Sequence, residues 1–169
     1  MEFENYSDLS RGFIQSSQLL ALRSNHQRLT PEHLLKVLLD DKDGMAADLI
    51  DAASGNPTHA LQGVERELTK TPSVEGSGVG DLYLSPEIAR VLEQEEEICK
   101  KTGDEFVTAE RLLLALALAE GTPSARVLKD AGVTVRALNK AVTDMRKGRP
   151  ADSLGVEGQY GALQQYTQT

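Results

Sequence analysis

The residues of this 169-residue chain that could do chemistry are three histidines, one cysteine and 26 carboxylates, and their spacing argues for binding over catalysis. His26, His33 and His59 fall in different helices or turns, no His-Glu-x-x-His occurs, and a single cysteine cannot complete a structural zinc site. No metal is expected. A nucleophilic Cys99 would need a base beside it and a depressed pKa, whereas its place at the end of an apolar helical stripe suits a small buried hydrophobe. The run Gly76-Ser77-Gly78-Val79-Gly80 has the glycines of a phosphate loop. No Lys-Ser or Lys-Thr follows it and no strand precedes it, so it reads as a flexible connector. With no acid, base and nucleophile brought together by spacing, neither a catalytic residue nor a cofactor site is expected.

The remaining polar candidates sit at helix starts. Thr30-x-Glu32 and Thr108-x-Glu110 each place a hydroxyl beside unpartnered amides and a negative charge at the positive end of a helix, which capping alone explains. Gly103-Asp104-Glu105-Phe106 sets two acids beside an aromatic residue just before the Thr108 cap. Two readings stay open there: an acidic spot on apolar surface that holds an extended peptide, or a turn solvated by Asp104 while Phe106 docks into the core. Glu93, Glu95, Glu96 and Glu97 would attract a cationic partner, but on a helix most such carboxylates form a solvated face, and Glu95 falls inside the apolar stripe.

The elements that must position these residues come in two copies. Leu29-Thr30-Pro31-Glu32-His33-Leu34-Leu35 returns 78 residues later as Val107-Thr108-Ala109-Glu110-Arg111-Leu112-Leu113, and sliding 6–54 over 84–132 gives eight identities in 49 pairs with matched apolar positions. A duplicated helical unit points to a binding platform. Ser, Thr or Asn before Pro marks helix starts, since proline at the first helical position gives up an amide that lacked a partner. Eight helices are predicted, at 8–25, 31–40, 45–53 and 57–70 in repeat one and at 86–102, 109–119, 123–131 and 134–147 in repeat two. The fold class is therefore all-α: two pseudo-twofold related four-helix repeats, 6–70 and 85–147, joined by a connector over 71–84. A Gln-rich, Gly-broken carboxy-terminal linker over 149–169 follows the double repeat of 1–148.

Composition narrows the function classes. A formal charge of -8 opposes a polyanionic partner, so nucleic acid is not expected, and a helix-turn-helix reading of 109–131 lacks the basic stripe it would need. The longest apolar stretch, 112–119, is far short of the roughly 18 residues that span a bilayer. Without a basic start and apolar run at Met1 to Asn5, and with one cysteine, a cytoplasmic protein free of disulfides is expected.

The tandem four-helix repeat, the connector Thr71-Pro72-Ser73-Val74-Glu75-Gly76-Ser77-Gly78 and the Gly103-Asp104-x-Phe106 turn together resemble the amino-terminal domain of the bacterial Clp ATPases, in the disaggregase branch of that family. Ala162-Leu163-Gln164-Gln165-Tyr166-Thr167 resembles the segment that enters the first ATPase module. The resemblance implies a detached front end of a homohexameric AAA+ ring that uses ATP and Mg to thread aggregated polypeptide through its pore, in cooperation with the DnaK chaperone system. This chain has no Walker motif, so no ATP hydrolysis is implied for it. The implied role is recognition of exposed apolar segments of unfolded or aggregated proteins by a monomeric domain. The alternative is docking of a folded adaptor, as in the protease-associated ClpA and ClpC unfoldases. Three polar positions tied to substrate handling in the family fall here on Ser7, Asp104 and Glu110. Ser7 replaces a frequent Thr, and Arg111 replaces an apolar residue. A seam between the repeats, lined by Leu9, Phe13, Ile88, Val91 and Leu92 and rimmed with acids, would accept a loose apolar chain. For each of those five, core burial is the competing reading.

Overall fold

The computed structural model describes residues 4–73, 82–104 and 106–146. Eight α-helices lie among them: α1 (Asp8–Arg23), α2 (Pro31–Asp40), α3 (Met45–Ala52), α4 (Pro57–Thr69), α5 (Pro86–Thr102), α6 (Ala109–Leu118), α7 (Pro123–Asp130) and α8 (Val135–Arg146). Three of the four polar residues before helix-starting prolines cap as expected, whereas Thr108, also expected to cap its helix, makes no side-chain cap bond. Asn56 accepts from the His59 amide, Ser85 from Ile88 and Thr122 from Ala125, and Ser7 caps α1 in the same way through Ser10. Each of these bonds satisfies one amide that the helix itself leaves unpaired.

Every helix of the second half begins 78 residues after its counterpart in the first, so the repeat seen in the sequence is a repeat in space. The two halves interlock. Helix α3 packs on α8 and α4 on α7, each pair drawn from both repeats, while α2 runs between α1 and α4 and also touches α6 and α7. The pairing of main chains obeys the same symmetry. A two-residue parallel ladder joins β1 (Arg28–Leu29) to β2 (Tyr83–Leu84), and Tyr6 bridges Val107. Tyr6 and Leu84 are equivalent positions, as are Leu29 and Val107, so each repeat lends its first residues to the segment before the other repeat's second helix. These short strands were not expected from the sequence, because two residues carry no period of their own.

The core is one cluster shared by both halves. Leu34, Leu35 and Leu38 on α2 and Leu112, Leu113 and Leu116 on α6 are all buried. Each is worth about 1.5–3 kcal/mol, so these two short helices outweigh any surface ion pair at about 0–1 kcal/mol. Residues 74–81 of the connector, and residues 147–169, which include the linker 149–169, lie outside the described residues.

Candidate functional site

Three of the sequence-predicted positions converge where the first residues of the chain meet the start of α6. The Ser7 amide donates to the Val107 carbonyl at 3.0 Å, and the Ser10 hydroxyl donates to the same oxygen at 2.9 Å. Ser7 is thereby tied one residue before Thr108, the residue that precedes α6. Asp104 lies three residues before Val107, in the turn after the left-handed Gly103 that ends α5. That turn is pinned from α5: the Thr102 hydroxyl donates to Asp104 Oδ2 at 3.1 Å and the Cys99 thiol donates to the Asp104 carbonyl at 3.0 Å. Glu110 stands in the first turn of α6 and is only 2% exposed.

A third element brings the two acids under one cation. Arg146, in the last turn of α8, places Nη2 3.2 Å from Asp104 Oδ2 and Nε 3.7 Å from Glu110 Oε1. Glu110 Oε2 and Thr108 Oγ1 are buried without a hydrogen-bond partner among the described residues. Beside them Glu95 and Arg111 form a second pair, with nitrogen to oxygen distances of 3.3 and 3.4 Å. Burial raises the Glu95 carboxyl above its ordinary pKa, and Arg111 and Arg146 pull it back. The Cys99 thiol is also raised, by burial and by the charges of Asp104 and Glu95, the opposite of what a nucleophile requires. The site can hold cations and donors of hydrogen bonds.

Four of the five apolar candidates must be corrected. Phe13, Ile88, Val91 and Leu92 are 7, 1, 2 and 0% exposed, so they fill the core and cannot line an open seam. Their helical spacing marks the buried face of α1 and α5, and spacing alone does not separate a packed face from a groove. Leu9 is half-buried and packs against the core edge. Glu105 lies outside the described residues, and Phe106 is half-buried.

Sequence reasoning missed the apolar surface that is exposed. Leu19 and Leu22, one turn apart on α1, stand out at 50% and 42% exposure, with Leu118 and Tyr83 exposed elsewhere. The positions equivalent to Leu19 and Leu22 in repeat two are Glu97 and Lys100. That asymmetry was present in the aligned repeats and was the signal that could have found them. Arg146 was missed too, since nothing in its sequence neighbourhood points to residues some forty positions earlier.

Among the described residues no helix is long and apolar enough to cross a membrane, and no group of three or more His, Cys, Asp or Glu could hold a metal ion. The family described as the Clp repeat (R) N-terminal domain matches residues 5–131. A protein of Mesorhizobium japonicum named chaperone protein ClpB is 52% identical over 166 residues, which is 98% of this chain and 19% of that protein. The chain thus spans about a fifth of the length of the curated relatives it matches. The Hsp104 N-terminal domain from Candida albicans superposes with a TM-score of 0.78 at 23% identity, covering 89% of this chain and 97% of that one. The N-terminal domain of the caseinolytic protease associated chaperone ClpD from Arabidopsis thaliana gives 0.65 at 22% identity, covering 88% and 98%.

Proposed function

The chain belongs to the family of Clp repeat amino-terminal domains, and from that premise we propose that it recognises unfolded or aggregated polypeptide on behalf of a ClpB-type chaperone. The observation that carries the reading is the acid pair Asp104 and Glu110, held together at one end of the domain with a buried carboxylate oxygen that no described group satisfies. An unsatisfied acceptor beside solvent-reaching Asp104 invites the amides and basic side chains of an extended chain. Ser7 frames the same end of the domain through Val107. The apolar part of the client packs on exposed side chains such as Leu19 and Leu22, with half-buried Leu9 at the core edge. Such contacts are weak and tolerant of sequence, which suits a receptor for misfolded chains.

In the longer protein this domain delivers its client to a cytoplasmic homohexameric AAA+ ring that hydrolyses ATP with Mg and works with the DnaK system. The curated relatives named ClpB favour this over adaptor docking for a protease. The test is a titration of labelled wild-type and Asp104→Ala domain with a permanently unfolded polypeptide. Weaker binding by the variant is expected, and equal affinities would remove Asp104 from the site.

A further inference from the structure

The acid pair is already occupied from within the molecule. The Arg146 guanidinium makes an ion pair with Asp104 at 3.2 Å, but its 3.7 Å approach to Glu110 is beyond hydrogen-bond reach. Glu110 is therefore neutralised without being satisfied, and its second oxygen and Thr108 Oγ1 have no donor among the described residues. Repeat one shows the satisfied version of the same site. There Glu32 Oε2 accepts from the Ser124 hydroxyl at 3.2 Å, and Thr30 Oγ1 lies 2.9 Å from His33 Nδ1. Across the pseudo-twofold, Ala46 stands where Ser124 would be needed, and Arg111 replaces His33 but is spent on Glu95. The donor to the glutamate and the partner of the threonine hydroxyl, which complete the site in one repeat, are both missing from the other.

We propose that Arg146 is a displaceable internal ligand of the client site: an arginine of the client takes its place on Asp104, supplies donors to Glu110 and Thr108, and frees the last turn of α8. This rests on the reading of Asp104 and Glu110 as client-contacting residues. A guanidinium is the ligand the site selects, because its planar fork of five donors can bridge two carboxylates and a hydroxyl where an ammonium acts as a compact point charge. The side chains of Arg146 and Asp104 are 18% and 20% exposed, so the pair can be reached and exchanged from solvent. Arg146 is the last described residue of α8.

The experiment uses the full 169-residue chain and a short unstructured peptide that alternates arginine with leucine, together with its glutamine-for-arginine counterpart. Removing an internal competitor raises the population of the open site, so Arg146→Gln is expected to tighten the arginine peptide about 3- to 10-fold at low salt. Its effect on the glutamine peptide should be absent. In the unmutated chain, the Nε–Hε resonance of Arg146 should move toward its solvent-exposed position as the arginine peptide is added, a readout that needs no variant to fold. Unchanged or weaker binding by Arg146→Gln, or a stationary resonance at saturation, overturns the inference while leaving the client site intact. If Asp104→Asn and Glu110→Gln also bind with wild-type affinity, the underlying reading fails as well.

Discussion

At the scale of single residues, two oddities of the sequence explain one another. Glu95 interrupts an apolar stripe and Arg111 interrupts an apolar position of the family pattern, and in the fold each is the other's partner. Neither could be understood alone, because they are 16 residues apart on different helices. His33 shows a related case. Its Nδ1 accepts from the Thr30 amide at 3.0 Å, doing for α2 what a glutamate or glutamine does in a capping box, so its proton sits on Nε2 and is donated to His26 Nδ1 at 2.8 Å. Protonating Nδ1 would break the cap. Burial, reinforced by repulsion from His26, lowers the His33 pKa from 6.5 to about 4. The unfolded chain then binds a proton that the native state refuses between those two values. Stability contributed by His33 is complete above about pH 6.5 and declines as pH falls toward 4, by at most about 1.4 kcal/mol per pH unit. The buried Glu32 and Glu95, whose pKa values are raised, slope the other way and are common to wild type and variant. His33→Gln keeps an acceptor for Thr30 and cannot titrate. Urea midpoints at pH 7 and pH 5 should fall further for wild type than for His33→Gln, and parallel losses would show that His33 carries no such penalty.

At the scale of elements, helix starts were legible and helix ends nearly so, since caps and prolines are local signals. The predicted starts at 8, 31, 45, 57, 86, 109 and 123 match the structure, and the ends differ by two residues or fewer. The strand pairing was invisible, because it depends on the two repeats meeting. Turn chemistry is where the copies have drifted apart. Ser54, with φ 66°, occupies the left-handed position that glycine holds in repeat two, where Gly132 has φ 88°. A side chain there is disfavoured by steric contact with its own backbone, so Ser54 stores strain that Gly132 avoids. Ser54→Gly should stabilise the domain by up to about 1 kcal/mol, and Gly132→Ala should cost about 1–2 kcal/mol. Chemical denaturation of both variants checks the pair. Equal and opposite neglect of the turn, with no change in either, would remove backbone strain from the account.

At the scale of the whole molecule, the repeats are halves of one fold. Each half supplies the main-chain partners of the other, and the bond from the Asn56 amide to the Ala131 carbonyl at 2.8 Å crosses between them. Gly55 marks how closely they approach. It is the repeat-one equivalent of Val133, and it faces that residue across the pseudo-twofold. A methyl group added at Gly55 would lie 2.5 Å from Val133 Cγ2, 3.0 Å from Ile50 Cγ2 and 3.2 Å from the Ala131 carbonyl oxygen. Two of these atoms belong to repeat two and one is backbone, so relief requires the halves to move apart. The glycine was visible in the sequence as part of Ser54-Gly55-Asn56, but only as a turn signal. That it is an interface residue follows from its approach to Val133 and Ala131 in the turn between α7 and α8. Gly55→Ala should therefore destabilise by about 1–3 kcal/mol, the range for overpacking a well-filled site. Adding Val133→Ala should return part of that loss, because it removes the nearest clashing atom and leaves the carbonyl contact in place. If the halves are one cooperative unit, probes placed on α2 and on α6 will report the same urea midpoint in wild type and in both variants. Separate midpoints, or a Gly55→Ala variant as stable as wild type, would mean that the repeats fold as neighbours and not as interlocked parts of a single core.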